Sequence, residues 1–345
     1  MRYRTLLTPF LALALHASAQ SPPSLSTLHA RTIRLHIPGD DIDRMQAVAA
    51  SGFSHFEVID ERADTSRIGI HTCLPDFGRN HDRQLVFTQS AAAELAQYLN
   101  SRYARAGAPY TALVILRTLW LSDANNPRAE VLRHPERRLE RTHIRLKAEI
   151  YGIRDGRYIP VLRFDTLQTA WKRRILQERS TYYEWGLNLA LLIDELADSA
   201  TRLTPAKGDI NRSVALDDIR HFNASRFDAP IGETPFARGV YANFEEFRNN
   251  SPSIQDFEVK LENNERLLYI RESGMAYYSH DVWGYCDGKE IYIMRDGVLC
   301  PAWKEGKAFY IPAGAPGTGA LTIAHGRDYK QRSIYFIDMD TGDIY

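Results

Sequence analysis

Residues 112–166 constrain the fold more than any other part of the chain. Within them, residues 143–150 alternate strictly between polar and apolar side chains. A period of two is typical of a β-strand with one buried face and one face in water. The apolar face would hold Ile144, Leu146, Ala148 and Ile150, and the solvent face would hold His143, Arg145, Lys147 and Glu149.

The flanking segments predict two partner strands. Residues 112–121 are apolar almost throughout, which favours a central strand covered on both faces. Residues 154–157 read Arg-Asp-Gly-Arg, and Gly156 can take the positive φ that a tight hairpin needs before a third strand at 158–165. We therefore expect a three-stranded antiparallel core.

The remaining patterns predict an α+β protein in two parts. Helical periodicity at residues 90–105 and 167–200 indicates helices that cover the N-terminal antiparallel sheet. From residue 236 onward, short strand-like runs separated by Gly turns predict a small, mostly-β barrel or sandwich. We expect an α+β domain at 20–203, a linker at 204–235 and a mostly-β domain at 236–345.

The N-terminus predicts export. Arg2 and Arg4 precede an apolar run at residues 6–15, and Ala17-Ser18-Ala19 follows it. A positive region, a short apolar segment and an A-x-A site are typical of a secretory signal peptide, here residues 1–19. The mature chain is expected in the periplasm or outside the cell.

Charge and hydropathy exclude some partners. Lys+Arg and Asp+Glu are equal at 43 each, so no global basic field would attract nucleic acid. Beyond the signal segment no apolar run approaches the length of a transmembrane helix. We expect neither a nucleic-acid partner nor a transmembrane segment.

The cysteines leave the redox state open. In an oxidising compartment Cys286 and Cys300 could form a disulfide. The turn pattern, however, places them one strand apart in a meander, whereas a disulfide needs Cα atoms within about 7 Å. Cys73 is interpreted as a small buried hydrophobic residue.

Three segments of the last third carry a resemblance. They read GVYANFEEFRNNSPS at 239–253, WGYCDGKEIYI at 283–293 and YFIDMDTG at 335–342. In these segments the chain resembles an uncharacterised exported protein family of Bacteroidota, which implies export but no reaction or ligand. The N-terminal order of elements is similar to small α+β accessory domains of bacterial envelope transport and secretion machinery.

Two clusters are candidate sites for chemistry. His71, Cys73 and His81 could bind zinc with an open fourth position, although two ordinary histidines on a strand and a loop explain them as well, and we predict no metal or other cofactor. Asp60, Glu61 and Asp64 could serve acid catalysis if their proximity raised a pKa. The alternative is a salt-bridged turn.

The C-terminal aromatic residues are candidates for binding. Tyr278, Trp283 and Trp303 would suit a glycan or a protein partner if they shared an exposed face, and would otherwise fill the core. Residues 338–343 resemble part of a calcium loop but lack its final Glu, so they are interpreted as a turn.

These patterns favour interaction over catalysis. The sequence contains no Gly-x-Ser-x-Gly elbow, His-Glu-x-x-His motif or P-loop. We expect an exported, non-catalytic envelope protein that binds a protein or a glycan. The alternative is a hydrolase or carbohydrate-active enzyme with the Asp60–Asp64 carboxylates in a site between the domains.

Overall fold

The computed structural model describes most of the chain beyond the predicted signal peptide, which lies outside the described residues. The described residues are 32–35, 37, 52–73, 81–124, 139–173, 178–203, 205, 211–226, 228–232, 235–262, 265–295, 297–313 and 333–345.

Seven strands form a mixed sheet in the first part of the chain. Its order is β1-β4-β3-β5-β6-β7, and β2 also pairs with β5. The strands are β1 (Ile33–Leu35), β2 (Phe53–Asp60), β3 (Gly69–Cys73), β4 (His81–Phe87), β5 (Tyr110–Ala124), β6 (Leu139–Arg154) and β7 (Arg157–Arg173). The predicted antiparallel pairing is confirmed for β5, β6 and β7, with Asp155 and Gly156 both at positive φ in the hairpin. The pairs β1/β4, β2/β5 and β3/β5 are parallel, so the expectation of an antiparallel sheet is only partly correct.

Two helices cover one face of this sheet. They are α1 (Ala91–Tyr103), capped by Ser90, and α2 (Glu178–Arg202). The side chains of Trp185, Leu189 and Leu192 are buried in the core between α2 and the sheet, which confirms the predicted amphipathic face.

A bulge in β5 exchanges the faces of that strand halfway along. The pairing of β5 with β6 skips Arg117, between Leu116 and Thr118. Before the bulge the helix-facing residues are Ala112, Val114 and Leu116, and after it they are Leu119 and Leu121. Because of the extra residue, even-numbered side chains face the helices before the bulge and odd-numbered side chains face them after it. The apolar run therefore contributes side chains to the cores on both faces of the sheet.

The last part of the chain forms two antiparallel sheets. One has the order β16-β15-β14-β13-β12-β8 and the other has the order β11-β10-β9. They pack face to face through an apolar cluster that includes Val240, Leu268 and Tyr292, which agrees with the expected mostly-β architecture. The elements are β8 (Gly239–Tyr241), α4 (Phe244–Arg248), β9 (Phe257–Glu262), β10 (Glu265–Glu272), β11 (Met275–Tyr278), β12 (Gly284–Cys286), β13 (Ile291–Arg295), β14 (Val298–Glu305), β15 (Ala308–Ala313) and β16 (Ser333–Ile337).

The second face of the seven-stranded sheet is covered by later parts of the chain. Helix α3 (Leu216–Ser225) packs on the first half of β5 through Ile219, within the segment interpreted as a linker. Strand β16 packs on the other half. The prediction of a solvent face on β6 is therefore wrong, because Lys147 is 5% exposed and Glu149 is 8% exposed.

The cysteines of the C-terminal part are thiols. Cys286 lies in β12 and Cys300 in β14, and β13 separates the two strands, as the turn pattern predicted. Burial raises the pKa of the Cys286 thiol. The side chain of Cys73 lies outside the described residues.

None of the described helices is both long enough and apolar enough to cross a membrane.

The packing of β16 on β5 predicts a large effect of one substitution. Trp120 is 3% exposed and stacks on Phe336 with ring centroids 5.5 Å apart. We expect Trp120→Ala to lower the free energy of unfolding by about 3–5 kcal/mol, because it leaves a cavity between the two sheets. Urea unfolding measures this loss. The half-exposed Leu203→Ala is the control, with an expected change within about 0.5 kcal/mol, and equal effects of the two substitutions would contradict the packing described here.

Candidate functional site

The contact between the seven-stranded and six-stranded sheets contains most of the predicted carboxylate site. We call this contact the intersheet contact, and its apolar part is one buried cluster. Trp120 from β5 packs against Tyr310 from β15 and Phe336 from β16, with ring centroids 5.7 Å and 5.5 Å away. Asp60 ends β2, and the loop that follows, with Glu61 and Asp64, runs along its border.

Asp60, at the end of β2, forms a salt bridge with Arg62 of the following loop. Both of its carboxylate oxygens accept hydrogen bonds of 2.7 Å from the Arg62 guanidinium. The same guanidinium donates a hydrogen bond of 2.7 Å to the backbone carbonyl of Arg67, and Arg62 as a whole is 7% exposed. Glu61 is half-buried, and its backbone N–H donates to the carbonyl of Leu116. This arrangement is the salt-bridged turn weighed as the alternative.

Asp64 joins the loop to the C-terminal part of the chain. One carboxylate oxygen accepts from the backbone N–H and the hydroxyl of Ser66, at 2.8 Å and 2.5 Å. The other lies 2.9 Å from the Arg67 Nε and accepts the Tyr310 hydroxyl at 2.6 Å. Arg67 in turn pairs with Glu305 at 3.0 Å. Both oxygens of Asp64 thus serve contacts within the protein, which favours a structural role, while catalysis by these carboxylates stays a prediction.

Two small cavities lie at the intersheet contact. Each has a volume of about 10 Å³, roughly the space that one water molecule needs. Neither has room for a sugar ring. Ala63, Arg117, Thr118 and Phe336 line both cavities, Asp338 and Asp340 line the first, and Asp64 and Trp120 line the second.

The predicted zinc ligands are only partly within the described side chains. His71 is 7% exposed and meets the ring of Trp185 edge-on, with centroids 5.0 Å apart. The strand register pairs Cys73 of β3 with His81 of β4, but both of their side chains lie outside the described residues. Among the described residues no group of three or more His, Cys, Asp or Glu could hold a metal ion.

The three predicted aromatic binding residues lie in three different places. Trp283 packs against Phe244 of α4, with ring centroids 5.2 Å apart, beside the buried core of the six-stranded sheet. Trp303 stacks on Tyr310 in the intersheet contact. Tyr278 lies in β11 and is 42% exposed. They do not share one face, and the two tryptophans contribute to packing.

The surroundings of Tyr278 are the most exposed apolar surface of the described chain. All four residues of β11 are exposed, with Met275 at 72% and Tyr277 at 45%. The neighbouring face of the sheet adds Tyr269, whose ring centroid lies 6.0 Å from that of Tyr278. The Tyr277-Tyr278 pair signalled this surface in the sequence, but its aromatic density alone could not separate surface from core.

A cluster of buried charges also lies at the intersheet contact, and sequence analysis missed it. Its buried members are Lys147, Asp338 and Tyr345, and the partly buried Arg145 and the half-exposed Asp165 border them. The Lys147 ammonium pairs with the Asp338 carboxylate, and the two side chains are 6% and 5% exposed. Asp338 also accepts the Tyr345 hydroxyl at 2.7 Å. The residues 338–343 form the turn that was predicted, with the Gly342 N–H bonded to the Asp338 carbonyl.

No protein-family model, curated protein or solved structure matches this chain. The resemblance of its last third to an exported family stays a prediction.

The contacts of Asp64 predict a loss of stability on substitution. We expect Asp64→Ala to lower the free energy of unfolding by about 3–5 kcal/mol, because it leaves the buried Arg67 charge without one of its partners. Chemical unfolding measures the change. Asp217→Ala, at a side chain that is 96% exposed, is the matched control. A stability equal to that of the control would show that Asp64 does not support the intersheet contact.

The buried tyrosines predict a loss of stability at alkaline pH. Burial first, and then the neighbouring carboxylates Asp64 and Asp338, raise the pKa of Tyr310 and Tyr345 above the ordinary 10.0. Above pH 10 the unfolded chain therefore binds fewer protons than the folded chain, and the free energy of unfolding falls as pH rises. We expect Tyr345→Phe to reduce the slope of this fall in unfolding curves collected across alkaline pH. If the free energy of unfolding fell equally steeply with pH in the variant and in wild type, Tyr345 would not keep its proton in the folded protein as described here.

Proposed function

We propose that this chain is an exported envelope protein that acts without catalysis, by binding an extended segment of another protein along strand β11. The signal segment at residues 1–19 and the resemblance of residues 239–253, 283–293 and 335–342 support export to the periplasm or the cell exterior. The exposed sheet β9–β11 supports the binding role.

The observation that carries the proposal is the edge formed by β11. Among the described strands β11 pairs with β10 alone, and we place the strand of the partner along its other edge. Exposed edge strands usually carry charges, prolines or bulges that prevent pairing with other proteins. The sequence Met-Ala-Tyr-Tyr has none of these. Strand addition to such an edge takes its affinity from main-chain hydrogen bonds and its specificity from side chains.

The side chains of the sheet suit a protein partner. Met275 and Tyr277 present flexible and aromatic apolar surface, which protein interfaces favour. The rings of Tyr269 and Tyr278 are inclined by 60° to each other, so they do not form the flat platform on which a sugar chain would stack. Tyr278 and His280 are closer to parallel, at 32°, and this pair is what favours a glycan as the second candidate.

The geometry gives less support to a hydrolase. Asp60 and Asp64 are each paired with an arginine, at 2.7 Å and 2.9 Å. The neighbouring cavities at the intersheet contact have only about 10 Å³ each. A catalytic acid needs a substrate within reach, and cavities of this size do not admit one.

Site-specific crosslinking in the cell envelope tests the proposal. A photoreactive amino acid replaces Tyr277 in one variant and Leu203, which is 53% exposed directly after α2, in the control variant. We expect a single covalent adduct with another envelope protein from position 277 and none from position 203. Adducts from position 203 alone, a dimer of this chain, or retention on envelope polysaccharide without a protein adduct would each overturn the proposed partner.

A paired substitution measures the contribution of the edge. We expect Met275→Lys with Tyr277→Lys to weaken capture of the partner by about tenfold or more, equivalent to at least about 1.4 kcal/mol, because lysines on an edge strand oppose strand addition. The free energy of unfolding should change by less than about 0.5 kcal/mol, since both positions are exposed. Capture equal to wild type would contradict docking on β11.

A further inference from the structure

We propose that Lys147 and Asp338 become joined by an amide bond between the lysine Nζ and the aspartate Cγ, formed by the folded protein itself. This bond would connect the middle of β6 to the turn after β16. It goes beyond the proposed binding function and does not depend on it.

The fold places the two reacting groups together and out of water. Lys147 is 5% exposed and Asp338 is 4% exposed, and their charged atoms are in direct contact across 191 positions of sequence. Groups held in contact by a rigid framework react as if at very high concentration, because the entropy of bringing them together is already spent in folding.

Amide formation needs the neutral forms of both groups. Transfer of one proton from Lys147 to Asp338, between atoms that are already in contact, gives a neutral amine and a neutral carboxylic acid. The neutral amine is a nucleophile and the neutral acid is an electrophile, whereas the ion pair is neither.

Neighbouring groups are positioned to assist each stage. Asp165 has a carboxylate oxygen 3.8 Å from the Lys147 Nζ, so it can accept a proton from the amine as the new bond forms. Arg145 lies 2.6 Å from the same carboxylate and supports its charge. Asp165 is about half exposed, so it can exchange that proton with solvent.

Donors also lie on both oxygens of Asp338. The backbone N–H of Asp340 donates to Oδ1 over 3.0 Å, and the Tyr345 hydroxyl donates to Oδ2 over 2.7 Å. Such donors stabilise the negative charge that develops on a carbonyl oxygen during attack. Burial and Asp338 raise the pKa of Tyr345, which keeps its hydroxyl protonated and able to donate.

The atoms balance without an oxidant or an activating co-reactant. The C–N bond forms between Nζ and Cγ, and the bond from Cγ to one carboxylate oxygen breaks. Of the three ammonium protons one stays on the amide nitrogen. One passes directly to Asp338 and one passes through Asp165, and both leave with that oxygen as water. The positive and negative charges disappear together. The cavity beside Asp338 has a volume of about 10 Å³, which can receive the released water.

Other buried ion pairs of the described chain lack this chemistry. Asp60, Glu149 and Asp340 pair with Arg62, Arg117 and Arg226 respectively. A guanidinium keeps its proton at any pH that a protein meets, so these pairs cannot form an amide. Lys147–Asp338 joins a buried amine to a buried carboxyl group.

Intact-mass spectrometry of the purified mature chain tests the proposal. We expect wild type to be lighter than its sequence by one water molecule, and a tryptic digest to contain one branched peptide that joins the Lys147 and Asp338 segments. Lys147→Arg keeps the positive charge but cannot form the amide, so it should have the full sequence mass. Lys289→Arg, at an exposed lysine, should retain the deficit.

The Asp165→Asn variant distinguishes a loss of amide formation from a loss of folding. It keeps the shape of the side chain but removes the base, so the deficit should be absent or develop slowly over time in the folded variant. If Lys147→Arg does not fold, the wild-type mass and the branched peptide decide the question. Folded wild type at its full sequence mass would overturn the bond, and a deficit in Asp165→Asn as rapid as in wild type would overturn the role of Asp165.

Discussion

The burial of a charged sheet face is the constraint on which the rest of this structure depends. Strand β6 presents Arg145, Lys147 and Glu149 on one side, and a charge removed from water is tolerated only where it finds a partner. The chain supplies those partners from distant positions: Asp338 for Lys147, and Arg117 for Glu149. The six-stranded sheet must therefore meet the seven-stranded sheet in one register, since a shifted position would separate Lys147 from Asp338.

This constraint bears on function because it assigns the polar residues of the intersheet contact to internal interactions. Asp60 and Asp64 pair with Arg62 and Arg67, and the remaining space is the size of a water molecule. Exposed apolar surface lies instead on the three-stranded sheet, where β11 is exposed along its whole length. The molecule thus combines an interior rich in matched charges with an apolar edge on its outside.

Local sequence patterns predicted the helices and strands. Contacts with residues far along the chain determine which faces of those helices and strands are buried. The strand at β6, the Gly156 hairpin and the amphipathic stripe from Trp185 to Leu196 depend on neighbouring residues, and all three are confirmed, although the predicted solvent face of β6 is not. The burial of Lys147 could not be predicted, because its partner lies 191 positions away in a segment that reads as an ordinary turn. The bulge at Arg117 and the parallel pairing of β2 with β5 leave no local signature either. Trp283 and Trp303 are compatible with core or surface in sequence, and the structure shows both partly buried, packed against α4 and β15 respectively.

The most direct measurement of the central claim is hydrogen exchange across a urea series, resolved by peptide, in the Lys147→Arg variant. This variant keeps the positive charge and excludes a covalent link, so only non-covalent contacts hold the two sheets together. If each sheet depends on the other, peptides from β5 and β6 will lose protection at the same urea concentration as peptides from β15 and β16. Loss of protection at two separate urea concentrations would contradict the account and support two independent domains.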